Sequence, residues 1–168
     1  MGEVGNIATV DALRGQELRA LNNSFHEQTS LLDASQWSSL IAASSYAVYV
    51  QPAEALLIAF TCKSTYDNPN FRWFAHRFES FVYVDRIVVS ANAQGKGYGR
   101  RLYEQLFLWA QDSGFALIGC EVNQQPPNPG SDAFHERMGF VQQAQVQGPQ
   151  SRKVVAYLTK TLANEGSS

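Results

Sequence analysis

Cysteine is scarce in this chain: Cys62 and Cys120 are the only two among 168 residues, far apart and each inside an apolar run. No Cys-x-x-Cys pair and no His/Cys ligand spacing is present, so a structural zinc site is excluded, no metal is expected, and both thiols read as buried and free in a reducing compartment. No apolar run approaches membrane-spanning length, and the N-terminus lacks a basic stretch followed by an apolar one. Met1-Gly2 invites myristoylation, but position 6 is Asn rather than Ser or Thr. Neither sign of charge dominates: the net charge is −2, which offers no electrostatic footprint for a polyanion. These absences predict a cytoplasmic protein without nucleic-acid or membrane partners.

What is present suits a globular protein, with 45% hydrophobic and 17% charged residues in a length that fits a single domain. The reading is one domain over 1–168, with a core at about 5–162 and a polar, frayed tail at 161–168. Ile7–Val10 reads as a first strand, after which Asp11 caps a helix carrying Leu13, Leu18, Leu21 and Phe25 near helical spacing. A second helix spans Ser35–Ser44 with Ser35 as cap. Tyr46–Val50 and Ala55–Cys62 form a hairpin through Gln51-Pro52-Ala53-Glu54. Residues 63–78 hold turn formers followed by Phe71, Trp73, Phe74, His76 and Phe78 without a clean period. They read either as a loop packed on the core or as an aromatic wall of a substrate pocket.

Strand 80–90 comes next, then a helix from about Gly97 to Asp112 with Leu102, Leu106, Phe107 and Ala110 as its stripe. Phe115–Val122 is apolar almost throughout, as a strand covered on both faces is. A proline-rich loop at 123–130 leads to a short helix, Ser131–Met138, closed by Gly139. Phe140–Val146 and Lys153–Lys160 are the last strands, with Gly148-Pro149 between them.

The sharpest signal lies at the junction of strand 80–90 and the helix after it: Gln94-Gly95-Lys96-Gly97-Tyr98-Gly99. A glycine turn opening a helix offers backbone N–H groups without helical partners and the positive end of the helix dipole, a seat for phosphate. Glycines at alternate positions also remove the Cβ atoms that would hold a phosphate away. A dinucleotide fold would need Gly-x-Gly-x-x-Gly after an early strand. Gly95 and Gly97 fit and Glu121 stands near ribose distance, but Arg100 takes the third position and the motif opens only at residue 94. Gly-x-x-x-x-Gly-Lys-[Ser/Thr] is absent.

Gln94, Gly97 and Gly99 match [Gln/Arg]-x-x-Gly-x-[Gly/Ala], and Ile87–Ala93 leads into them as a fourth strand. Downstream, Asn128-Pro129-Gly130-Ser131-Asp132-Ala133-Phe134-His135-Glu136-Arg137-Met138-Gly139-Phe140 resembles Asn-x-x-Ala-x-x-x-Tyr-Glu-x-x-Gly-Phe. In order, spacing and element type the chain resembles the GNAT superfamily of N-acetyltransferases, closely over 80–142 and in element order over 5–162. The resemblance implies an α/β fold: a central twisted mixed sheet of about six to seven strands, flanked by about four helices, with strands 4 and 5 splayed.

It also implies acetyl-CoA as cofactor, its pyrophosphate on the amides of Gly95, Lys96, Gly97, Tyr98, Gly99 and Arg100 with Gln94 at the entrance. Ile87, Val88 and Val89 would pair through their backbone with the pantetheine arm, and the Val89 N–H would face the thioester oxygen. Asn128 and Ser131 would touch the cofactor from the other side, or serve only as helix caps.

The reaction implied is direct transfer to an amine, which needs a group to take a proton from the amine and one to protonate the leaving sulfur. The family's acid is often a tyrosine at the position held here by His135; imidazole suits the task, and a packing role is the alternative. Tyr83 is the other hydroxyl. Asp85, a carboxylate within an apolar strand, is the first choice of base, against a structural Asp85–Arg86 pair. Glu121 is the second base, and Cys120 is a remote third as a nucleophile.

The acceptor is a small-molecule or peptide amine that sequence does not identify. A homodimer is compatible with the resemblance, since relatives often pair through their last strands. A competing class is a non-catalytic acyl-CoA-binding or regulatory module that kept the glycine grip and lost the acid.

Overall fold

A computed structural model describes residues 2–125, 127–147 and 153–163. Seven strands form one mixed sheet: β1 (Val4–Asn6), β2 (Tyr46–Val50), β3 (Ala55–Thr61), β4 (Val82–Val89), β5 (Leu117–Gln125), β6 (Val141–Gln147) and β7 (Val154–Thr161), in the spatial order β1-β2-β3-β4-β5-β7-β6. Five helices cover it: α1 (Ala12–Ser24), α2 (Ala34–Ala43), α3 (Pro69–Ala75), α4 (Tyr98–Asp112) and α5 (Pro129–Arg137). Every strand pair is antiparallel except β4 and β5, whose connection through α4 permits parallel pairing.

The sheet separates two cores. On one face Leu18, Leu21, Trp37, Leu40, Phe71 and Phe74 from α1, α2 and α3 pack with Leu56, Ile58 and Tyr83. On the other, Leu102, Tyr103, Leu106 and Ala110 of α4 pack with Leu57, Val82, Val84, Cys120 and Val122. Ala55 to Phe60 are fully buried because β3 lies between both layers.

Two irregularities in β4 set up the site. Val84 pairs with Ala59 and Arg86 with Ile58, so Asp85 is an extra residue, a bulge. Side-chain parity changes there: Val82 and Val84 face the α4 layer before the bulge, and Ile87 and Val89 face it after. Further on, β4 and β5 part. Their pairing covers only Val82–Val84 against Ile118–Cys120, although β4 runs on to Val89 and β5 to Gln125. This is the splay implied by the resemblance.

Some elements differ from the sequence reading. Ile7–Thr9 is a turn of 3-10 helix and β1 precedes it, because the Asn6 side chain accepts from the Ala8 N–H and bends the chain. Asp33, not Ser35, caps α2, in a capping box with Gln36. Within 63–78 a helix forms, α3, started by the Asn68 side chain and Pro69 at its first turn. Strand β5 runs on to Gln125, into the expected loop. The expected tail begins later than residue 161: Leu162 is buried and its N–H donates to Ala116 O. Residues 164–168 lie outside the described residues, as do Gly148 and Pro149. No helix among the described residues is long and apolar enough to cross a membrane.

Candidate active site

On the α4 face, Gly97 is the N-cap of α4 at φ 79°, and Gly95 stands at φ 84°. Both conformations favour glycine. The first helical bond runs from Arg101 N–H to Gly97 O, leaving the N–H groups of Tyr98, Gly99 and Arg100 without helical acceptors. A Cβ built at Gly95 or Gly97 meets nothing within 4 Å, so the turn opens on free space. At Gly99 it would lie 3.1 Å from the Phe134 ring, and glycine there lets α5 approach α4.

These groups border a groove of about 910 Å³. Ile87, Val88 and Val89 line one wall, where β4 has left β5. Gln94, Gly95, Gly97, Tyr98, Gly99 and Arg100 line its floor, and Asn128, Ser131 and His135 the opposite side. Of the sequence-level cofactor residues, Lys96 alone is outside the lining; it is exposed. Asn128 caps α5 by accepting from Ser131 N–H. The free amides, the positive-φ glycines and the open space fit the pyrophosphate of coenzyme A.

His135 is buried against this groove. Its Nδ1 lies 2.8 Å from the Ser131 carbonyl oxygen and its Nε2 2.7 Å from the Tyr103 hydroxyl. A carbonyl only accepts, so Nδ1 carries the proton and Nε2 accepts from Tyr103. Burial lowers the imidazole pKa and keeps the ring neutral. Tyr103 lies fully inside the α4 core beside Cys120, whose thiol burial pushes well up.

The other candidates gather on the opposite face. Tyr83 donates to Glu121 Oε2 at 2.7 Å, and Asn70 donates to the same carboxylate while its Oδ1 accepts from Tyr157. Burial, with the Asp85 charge second, raises the Glu121 pKa to about 8, although its residue keeps a partial opening to solvent. Burial and the same carboxylates push the Tyr83 phenol well above its ordinary value, so it stays a donor. Asp85 accepts from Tyr66 at 2.6 Å and from Arg86 Nε at 2.7 Å, with both charged side chains more than nine-tenths buried.

Asp85, Tyr83 and Glu121 thus form one cluster, with His135 on the other side of the sheet. Glu121 follows directly on Cys120, the last residue of β5 paired with β4, whereas Asp85, Tyr83 and Glu121 are not among the residues lining the groove. Phe25, Gln28 and Thr29, from the connection between α1 and α2, also reach the groove, and Asn123 of β5 donates to Glu27 O at 3.4 Å.

Sequence reasoning missed Tyr66, Asn70, Tyr157 and Tyr103. Tyr66 and Asn70 sit in the aromatic segment read either as a loop packed on the core or as a pocket wall; Phe71 and Phe74 there are core, and Tyr66 and Asn70 are polar support. Tyr103 sits among the stripe positions of α4, and a hydroxyl on an apolar stripe was the available signal.

The Acetyltransferase (GNAT) family model matches residues 14–140. No curated protein matches the chain. Among solved structures, the ribosomal-protein-S18-alanine N-acetyltransferase of Escherichia coli superposes with a TM-score of 0.67 at 13% identity, covering 100% of this chain and 98% of its own. A candidate acetyltransferase of Salmonella typhimurium, solved with its cofactor acetyl-CoA, gives 0.67 at 15%, again over 100% and 98%. The NatC complex bound to Gag peptide and CoA gives 0.74 at 10%, over 96% and 98%. At these identities the structural likeness speaks for the fold.

Proposed function

Because the chain belongs to the GNAT acetyltransferase family, with acetyl-CoA as its cofactor, we propose that it acetylates a primary amine by direct attack in a ternary complex. The observation that carries this reading is the position of Glu121: a desolvated carboxyl of pKa about 8 on a partly exposed residue, just past the last paired residues of β4 and β5. Acetyl-CoA would supply the activated acetyl group, its C–S bond breaking as the C–N bond forms, and the proton shed by the attacking nitrogen would balance the departing thiolate. The protein's own groups do the rest.

The amides of Tyr98, Gly99 and Arg100 would hold the pyrophosphate, and the edge of β4 that β5 leaves unpaired at Ile87–Val89 would align the pantetheine arm. Glu121 takes the proton of the acceptor ammonium, its pKa close enough to that of an amine for transfer to be nearly balanced. Asp85, the first choice from sequence, already neutralises Arg86 and accepts from Tyr66; it shapes the field at Glu121. Tyr83 steadies the Glu121 carboxylate through its hydroxyl. His135 holds its proton on Ser131 O and so serves the groove wall.

Peptide N-termini and small amines both suit the carboxylate cluster, in keeping with the peptide in the NatC complex. One observation favours a second reading. His135 stands where many relatives carry a proton-donating tyrosine, and both its nitrogens are engaged, as in a coenzyme A-binding module without turnover. Thiol release measured over a panel of amines separates the two. Turnover abolished by Glu121→Gln supports the enzyme; coenzyme A binding without turnover on any amine supports the module.

A further inference from the structure

Arg86 is a buried arginine beside the reacting groups, and the proton chemistry makes no use of it. Its Nε pairs with Asp85, but its Nη1 continues to Asn22 Oδ1 of α1 at 2.9 Å in a buried contact. Asn22 is itself fully buried, and its amide is spent in both directions. Oδ1 accepts from Arg86, and Nδ2 donates to Ser30 O at 2.9 Å. The Asn22 backbone oxygen accepts from Thr29 Oγ1 at 3.3 Å. Next to it, the Asn23 side chain binds both the N–H and the carbonyl of Leu32.

The connection from α1 to α2 is therefore pinned from beneath at Thr29, Ser30 and Leu32. Its middle is the part that reaches the groove through Phe25, Gln28 and Thr29, and it touches β5 through Asn123. It lines the groove together with Ile87, Val88 and Val89 of β4 and meets β5 at Asn123, beyond the last paired residues of the two strands.

We propose that Asn22 and Arg86 are positioning residues that hold segment 25–30 across the β4–β5 opening and thereby set affinity for the acceptor amine. The inference rests on the acetyltransferase reading. An acceptor reaching Glu121 passes this segment, so its placement changes how the amine is held while leaving the proton-accepting carboxylate intact. Asparagine is specified at position 22 because the site needs one acceptor toward a guanidinium and one donor toward a carbonyl.

Asn22→Asp separates the two halves, since it keeps an acceptor for Arg86 and removes the donor to Ser30 O and to Asn23 Oδ1, the two contacts that tie Asn22 to the segment and its anchor. With the best amine of the panel, the acceptor KM is expected to rise about tenfold, with kcat and acetyl-CoA affinity within about twofold. Amide hydrogen exchange over 25–30 is expected to quicken in the same variant. Thr29→Val removes the hydroxyl shared between the backbone oxygens of Asn22 and Phe25, and gives a smaller rise in the same direction, should Asn22→Asp fail to fold. Turnover with an unchanged acceptor KM and unchanged exchange over 25–30 overturns the proposal while leaving the acetyltransferase reading in place. Absence of turnover on every amine overturns the reading itself, and the acceptor role of the segment falls with it.

Discussion

Tyr83 donates its hydroxyl to Glu121 across the point where β4 and β5 stop pairing. The bond is 2.7 Å long and joins the last shared stretch of the sheet to the first residue beyond it. Here the buried body of the domain ends and the opening begins. A carboxyl placed at such a border is desolvated enough to hold a proton and open enough to exchange it.

That placement predicts the pH profile. With a pKa of about 8, Glu121 is mostly protonated at neutral pH and becomes a base as pH rises through 8. The expected kcat/KM rises over that interval, beyond the rise from the acceptor's own ionisation. Glu121→Gln should lower kcat by ~10²–10³-fold and remove the carboxyl limb. A Gln variant with wild-type turnover would return the base role to Asp85.

The same shift predicts stability. The unfolded carboxyl titrates near its ordinary value of about 4.5, the folded one near 8. Between these values the folded state binds a proton that the unfolded chain has lost, so this group's contribution is full below about 4.5 and is lost as pH rises through 8. Glu121→Gln lacks the loss. Thermal melts should show the variant gaining on the wild type from pH 5 to pH 9; parallel curves would contradict the shift.

Gly97 tests the cofactor seat. At φ 79° a β-branched residue is strained, and its side chain would occupy the open space before the α4 amides. Gly97→Val is expected to abolish coenzyme A binding by calorimetry while the far-ultraviolet spectrum keeps its helical signal. Retained affinity would remove the pyrophosphate assignment.

The glycine turn was legible because backbone chemistry is local: glycine spacing, a strand before and a helix after suffice, whereas the splay was implied by the family resemblance alone. The carboxylate cluster was legible only as residues. Asp85 looked the better base because it interrupts an apolar strand, but a bulge and its ion pair with Arg86 are tertiary facts. Glu121 owes its pKa to burial first, then to Asp85, Tyr83 and Asn70, which lie 36, 38 and 51 positions away in sequence. The helix in 69–75 escaped notice because its apolar positions serve both the core and the aromatic stack of Trp73 on Tyr157.

His135 offers the last test. Both its nitrogens are committed, to Ser131 O and to Tyr103, so the ring is a brace between α5 and α4. Replacing it by phenylalanine keeps an aromatic ring but leaves the buried Tyr103 hydroxyl with only the Cys120 sulfur, a weak partner, a loss of about 1 kcal/mol. His135→Phe should therefore lower the melting temperature, and the double variant His135→Phe, Tyr103→Phe should recover part of it by removing the stranded hydroxyl as well. Turnover per folded molecule should change by only a few-fold, about 1 kcal/mol of barrier. A collapse of kcat with unchanged stability would show instead that the imidazole delivers a proton, and the family's tyrosine position would regain its chemical role.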